Sequence, residues 1–256
     1  MKWKEGEGTS VFLKPSGYTG SEADRGQPGS NGLLLEAQGR LVLCERGDRR
    51  VSRLEKDGKK TTLADRFEGK QLNGPNDAVL RSNGDIFFTD PPFKIENHSD
   101  DSARELDSQG IYRISTSGDL TLLTRGVSNP NGIAFSPDEK KLYVACANPE
   151  EAVVYVFEVR DDGTIVHQEI FFDATAWVKE GRKGLPGGLK VDRHGNVFAT
   201  GPGGVHVFAP DGTHLGTIDP GEPTTNCAWG GDGSVLYITG SLHLMRIRTG
   251  TRAKEF

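Results

Sequence analysis

The chain has 256 residues, a net charge of −5 and no block of basic residues, which argues against a nucleic-acid partner. No apolar run approaches the roughly 20 residues of a membrane-spanning helix, so a membrane partner is not expected. The 34 glycines and 13 prolines punctuate short aromatic and β-branched runs, an all-β composition far from low complexity.

The first segment, "MKWKEGEGTSVFLKPSG", reads as a hairpin turning near Gly6 and Gly8. No apolar run follows Lys2 and Lys4, so a signal peptide is not expected. The protein is expected in the cytoplasm, or in the periplasm if the N terminus is truncated. Five related hairpins follow. They open at Asn31 ("NGLLLEAQGRLVL"), Asn76 ("NDAVLRSNGDIFF"), Asn131 ("NGIAFSPDEKKLYV"), Gly187 ("GGLKVDRHGNVFA") and Thr225 ("TNCAWGGDGSVLYI"). In four of them a turn glycine (Gly39, Gly84, Gly195 or Gly233) lies eight residues after the lead, where a tight turn needs positive φ. The third replaces that turn with "SPDEKK", one residue longer.

Leads are 45, 55, 56 and 38 residues apart, and weaker hairpins such as "GIYRISTSGDLTLLT" and "GVHVFAPDGTHLGTI" fill the intervals. Four strands per roughly 45 residues is the pattern of a β-propeller blade. A β-sandwich also uses many short strands but does not require five copies of one hairpin. The expectation is a single all-β domain over 1–256, with blades beginning near 31, 76, 131, 187 and 225. Residues 1–17 supply only the outer hairpin of an incomplete first blade. "DATAWVKEG" reads as one short turn of helix. Cys44, Cys146 and Cys227 form no CxxC pair and are expected as buried small hydrophobes in a reducing compartment. The six histidines lack ligand spacing.

Inner strands of a propeller line its channel, so the lead residues are expected to ring one end of it. Asn31, Asn76, Asn131, Gly187 and Thr225 or Asn226 make that ring. Converging amide oxygens suit a hard cation such as Ca²⁺, but such sites draw affinity from carboxylates. The candidates that return to the same end on second strands are Glu45 in "LCERGD" and Asp90 in "FFTDPPF". An asparagine that only shapes its own turn, or an aspartate that caps one, is the competing reading.

"NGPNDAVLRSNGDIFFTDPPF", "NPNGIAFSPDEKKLYVACANP" and "GRKGLPGGLKVDRHGNVFATGPGGVHVFAPDGTHLGTI" resemble the gluconolactonase and regucalcin family over about residues 9 to 248. That resemblance implies a six-bladed propeller and hydrolysis of a sugar lactone, an intramolecular ester. It implies one divalent cation in the channel mouth, most often Ca²⁺, with Zn²⁺, Mn²⁺ or Mg²⁺ as alternatives. It makes Asn131 a metal ligand and Asn76 a contact to metal-bound water or substrate, so both are expected as cation or substrate ligands in this chain. The ring position of Asn31 and the strand-end position of Glu45 make them expected substrate contacts as well, Glu45 also being a fallback acid at the mouth. The family's general-base aspartate falls in "LPDGLKVD", which here reads "LPGGLKVD", so Gly187 stands in its place and Asp90 is the fallback acid. The family's glutamate ligand belongs to an inner strand upstream of Met1. Glu5 and Glu7 fit a hairpin turn better than that ligand position. Weak cation binding follows, and with it an impaired lactonase. Non-catalytic small-molecule binding, a scaffold role and organophosphate hydrolysis are the alternatives. The incomplete blade is expected to invite self-association.

Overall fold

The computed structural model describes residues 1–20, 29–92 and 104–254. They form an all-β propeller of five sheets. The inner hairpin of the first sheet is β3 (Ser30–Leu35) and β4 (Leu41–Glu45), followed by β5 (Arg50–Leu54) and β6 (Lys60–Ala64). A small hairpin, β7 (Arg66–Phe67) and β8 (Lys70–Gln71), leads to β9 (Ala78–Leu80), β10 (Ile86–Asp90), β11 (Gly110–Ile114) and β12 (Leu120–Thr124). The third sheet is β13 (Pro130–Phe135), β14 (Lys141–Cys146), β15 (Val153–Val159) and β16 (Ile165–Asp173). After the short helix α1 (Thr175–Lys179) come β17 (Leu189–Val191), β18 (Val197–Gly201), β19 (Gly204–Phe208) and β20 (His214–Ile218). The last sheet has three strands, β21 (Thr224–Gly230), β22 (Val235–Gly240) and β23 (Leu244–Arg248).

Among the described residues there are five blades rather than the six that the resemblance implies, a correction to that expectation. Ahead of β3 the described residues contribute only the hairpin of β1 (Lys2–Lys4) and β2 (Gly8–Ser10), which remains a separate sheet. That hairpin lies against the last blade. Trp3 sits 6.0 Å from Tyr237, and the Arg246 guanidinium covers the Trp3 ring while pairing with Glu5. Further on, Ser16 and Thr19 are tied to the first blade, through Ser30 and Asp48.

Turn chemistry follows the repeat. Gly39, Gly84, Gly195 and Gly233 all take positive φ. In the third hairpin Glu139 takes the left-handed conformation instead, at φ 58°, and its carboxylate receives the Ser82 amide and hydroxyl.

Four apolar clusters seal the junctions between successive blades. Val42, Cys44, Leu72, Phe88 and Tyr112 fill the first, and Phe87, Ile133, Phe135, Leu142 and Val144 the second. Tyr143, Leu189, Ala199 and Phe208 fill the third, and Phe198, Val205, Cys227, Leu236 and Ile238 the fourth. All three cysteines are buried and unpaired. No comparable cluster joins the last blade to the first among the described residues; Leu33, Leu35 and Leu244 are exposed there.

At the turn end, the C-terminal segment crosses three blades. Ala253 donates to the Gly233 carbonyl, and Thr251 to the Asp192 carboxylate. Asp192 and Ala253 form a β-bridge, and Lys254 reaches Glu139 at 3.8 Å.

Candidate active site

The inner strands meet at the end where they begin. Gly32 donates its amide to the Asn76 carbonyl at 2.6 Å, and the Thr89 hydroxyl donates to the Asn131 carbonyl at 2.6 Å. The Gly188 amide donates to the Thr225 carbonyl at 2.9 Å. Such close approach is possible because the second position of three repeats is glycine: Gly32, Gly132 and Gly188. A Cβ on Gly32 would lie 2.5 Å from an Asp77 carboxylate oxygen, one on Gly132 would collide with the Gly187 carbonyl, and one on Gly188 with the Asn226 amide.

The other two repeats carry side chains at that second position, Asp77 and Asn226. They occupy the space the glycines leave and meet across the channel, the Asn226 amide donating to Asp77 at 3.3 Å. This bond joins residues 149 apart in sequence and forms a polar floor. Asp77 is only 2% exposed. Burial raises its pKa, opposed by the Lys190 charge and by hydrogen bonds from the amides of Ala78 and Ile133 and the side chain of Asn226. Above this floor lies a cavity of about 370 Å³ lined on its polar side by Asn31, Asp77, Asn131, Lys190 and Asn226.

The structure thus brings Asn31 and Asn131 into one cavity and adds Asp77 and Lys190, which the sequence reading passed over. The Asn76 backbone is fixed by Gly32 and by its own amide bond to Thr89, and the residue is buried. Glu45 is not part of the cavity lining: it is fully buried in an ion pair with Arg50 and Lys60 on neighbouring strands. Asp90 is also directed elsewhere. It accepts the amides of Asn73 at 2.9 Å and Gly74 at 2.7 Å, pinning the loop that leads into Asn76. Burial pushes its pKa up to about 6, against those two amides and the Arg49 charge.

Gly187 has no left-handed backbone, so positive φ is not the reason for it. Close packing is. A Cβ there would fall 2.5 Å from the Thr225 carbonyl oxygen and 2.7 Å from the Thr200 hydroxyl.

A family model described as SMP-30/Gluconolactonase/LRE-like region matches residues 6–241. The chain belongs to this family. Within the SMP-30/gluconolactonase/LRE-like family, a gluconolactonase of Zymomonas mobilis is 36% identical over 98% of this chain and 72% of its own length. A solved gluconolactonase from Xanthomonas campestris superposes with a TM-score of 0.76 at 35% identity, covering 86% of this chain and 71% of that one. The calcium-binding protein regucalcin from Agrobacterium tumefaciens shares the propeller fold, with a TM-score of 0.59 at 22% identity over 89% of this chain and 91% of that one. Among the described residues no helix is long and apolar enough to cross a membrane.

Asp77 has a signal in the sequence. Aligned on their leads, the repeats read Gly32, Asp77, Gly132, Gly188 and Asn226 at the next position. One carboxylate and one amide among three glycines mark the two side chains that fill a shared space.

Proposed function

We propose that this chain hydrolyses sugar lactones at the channel mouth. Water adds to the carbonyl carbon, the ring C–O bond breaks, and a hydroxy acid leaves. The observation that carries this reading is the cavity itself, in a chain whose relative of 36% identity is named a gluconolactonase. Asp77 is the acidic side chain of that cavity among the described residues. Its raised pKa makes it a better proton acceptor than an ordinary carboxylate, so it takes the proton from the attacking water. The Asn131 amide and the Lys190 ammonium donate hydrogen bonds to the carbonyl oxygen as negative charge develops on it. Asn31 and Asn226 hold the sugar hydroxyls.

A divalent cation is the cofactor suggested by the calcium-binding member of this fold, and Ca²⁺ is the first ion to test. The donors described here fit it poorly. They offer amide oxygens and one carboxylate, already hydrogen-bonded to Asn226 and Ala78, and a lysine ammonium shares the cavity. Hard cations draw affinity from several charged oxygens. No group of three or more metal-ligating side chains occurs among the described residues. Calorimetric titration with Ca²⁺ should give a dissociation constant of about 10⁻⁴ M or weaker, and micromolar binding would place the ligands elsewhere.

The test of the reading is glucono-δ-lactone turnover by the parent protein, Asp77→Asn and Asn131→Ala. Loss of a positioned proton acceptor should lower kcat for Asp77→Asn by about a hundredfold or more, with the fold retained by circular dichroism. Turnover at the parent rate in Asp77→Asn removes Asp77 from the chemistry. Absence of turnover in the parent overturns the lactonase reading.

A further inference from the structure

The two reacting groups of the proposed site stand on different blades, Asp77 just ahead of β9 and Asn131 in β13. Between those blades lies the apolar packing of Phe87, Ile133 and Phe135. Such packing is non-directional, so it does not by itself set the separation of two polar groups at the mouth. Nor does its own ladder fix Asn131. β13 leaves register with β14 between Pro130 and Ile133, and Asn131 falls in that bulge.

Thr89 supplies the directional link. It lies two residues beyond Phe87 on β10, on the same face, and is fully buried. Its carbonyl accepts the Asn76 amide at 2.8 Å, and its amide donates to the Asp77 carbonyl at 3.0 Å. The hydroxyl then joins the two blades. Oγ1 accepts the Asp77 amide at 3.2 Å. It donates its single proton to the Asn131 carbonyl at 2.6 Å, in preference to the Asp77 carbonyl at 3.4 Å. The Ile133 amide returns a bond in the opposite sense, to the Asp77 carboxylate. β-branching leaves Thr89 few rotamers, so the hydroxyl is aimed as well as placed.

Two other blades carry threonine at the matching place, opposite the second residue of the repeat. Thr239 accepts the Asn226 amide at 3.0 Å and donates to the Asn226 carbonyl at 3.1 Å, within its own blade. Thr200 makes its shorter bond, 2.9 Å, to the Gly188 carbonyl of its own blade, and a longer one, 3.2 Å, to Thr225. Of these three hydroxyls, that of Thr89 makes its shortest bond to the next blade, and the residue it reaches is Asn131.

We infer that Thr89 is a positioning residue for lactone hydrolysis. Its hydroxyl holds the backbones of Asp77 and Asn131 at one separation, so that water at the Asp77 carboxylate faces a carbonyl held by the Asn131 amide. Thr89 is buried behind these groups and does not line the cavity. It takes this role only within the lactonase reading above. A misplacement of about 1 Å between reacting groups costs about a hundredfold in rate, so the effect falls on kcat rather than on KM.

The experiment measures glucono-δ-lactone kinetics and a melting curve for the parent, Thr89→Val, Thr89→Ser, Thr89→Ala and Thr200→Val. Thr89→Val keeps the branched shape and removes the hydroxyl. Its kcat should fall about tenfold to a hundredfold, with KM within about twofold of the parent. Thr89→Ser keeps the hydroxyl and gives up a buried methyl, so its Tm should fall while kcat stays within about threefold of the parent. Thr200→Val loses a buried hydroxyl of the same kind and should also keep kcat within about threefold. Should Thr89→Val fail to fold, the Ser and Ala variants, which differ by one oxygen, carry the same comparison, with kcat of Ser about tenfold above that of Ala. Parent-like kcat in Thr89→Val, equal losses in the Ser and Ala variants, an equally deep loss in Thr200→Val, or an effect confined to KM each overturns the positioning role and leaves the lactonase reading standing. Absence of turnover in the parent overturns both.

Discussion

The junction between the second and third sheets and the junction between the last and the first are built from the same repeat, yet they differ in kind. At the former, Phe87 and Phe135 pack edge to face at 4.9 Å within a cluster of fully buried side chains. At the latter, the equivalent inward faces end in exposed leucines and a polar mouth. Among the described residues the apolar packing is held in an arc of four sealed junctions, and the polar cavity is lined at the end of that arc, by residues of the first and last sheets among others.

Mutations on the two sides of this contrast should differ sharply. Phe87→Ala removes a fully buried ring and should cost about 3–5 kcal/mol, lowering Tm by roughly ten degrees in a chain of this size. A loss of under a degree in a calorimetric scan would mean that the arc does not carry the stability.

Acid titration probes the polar group buried inside the arc. The folded pKa of Asp90 is raised, to about 6, so the native state binds its proton more tightly than the unfolded chain does. Its contribution is complete below the unfolded value near 3.8 and is lost as pH rises through about 6. The span corresponds to about 3 kcal/mol. Denaturant unfolding of Asp90→Asn should lack this decline between pH 4 and 6, seen as a difference from the parent curve. Parallel curves for parent and variant would show that the carboxyl titrates normally.

Gly187→Asp tests the seam nearest the opening. Overpacking against the Thr225 carbonyl should cost about 1–3 kcal/mol and lower Tm by several degrees. A gain in Ca²⁺ affinity with unchanged Tm would instead restore this position to the expected base and ligand role. Smallest of all, Leu35→Ala at the open junction should change stability by no more than about 0.5 kcal/mol, since the side chain already faces water.

Much of the architecture was legible because the repeat imposes it. Equal offsets from lead to turn define hairpins, and the φ values at Gly39, Gly84, Gly195 and Gly233 show why those positions are glycine. The five copies of the repeat match the five blades, whereas the expectation of a sixth came from resemblance; ahead of β3 the described residues form only a two-stranded hairpin. Strand-end acids were misleading for a different reason. Whether Glu45 faces the channel depends on Arg50 and Lys60, which reach it from β5 and β6. Asp90 likewise answers to the amides of a preceding loop. Such partners are decided by packing between strands, which a repeat alignment does not contain. Asp77 stands next to the repeat's lead Asn76, and it is this neighbouring register position, not the lead, that holds the cross-channel bond to Asn226.

The C-terminal segment that runs from Gly233 past Asp192 to Glu139 has a practical corollary for anyone who wishes to anchor this protein. It is fastened at the turn end, away from the mouth. A surface tether or bead attached beyond Lys254 would orient the molecule with its opening toward solution, and a pull on that tether would first load the turns of three blades before reaching β23.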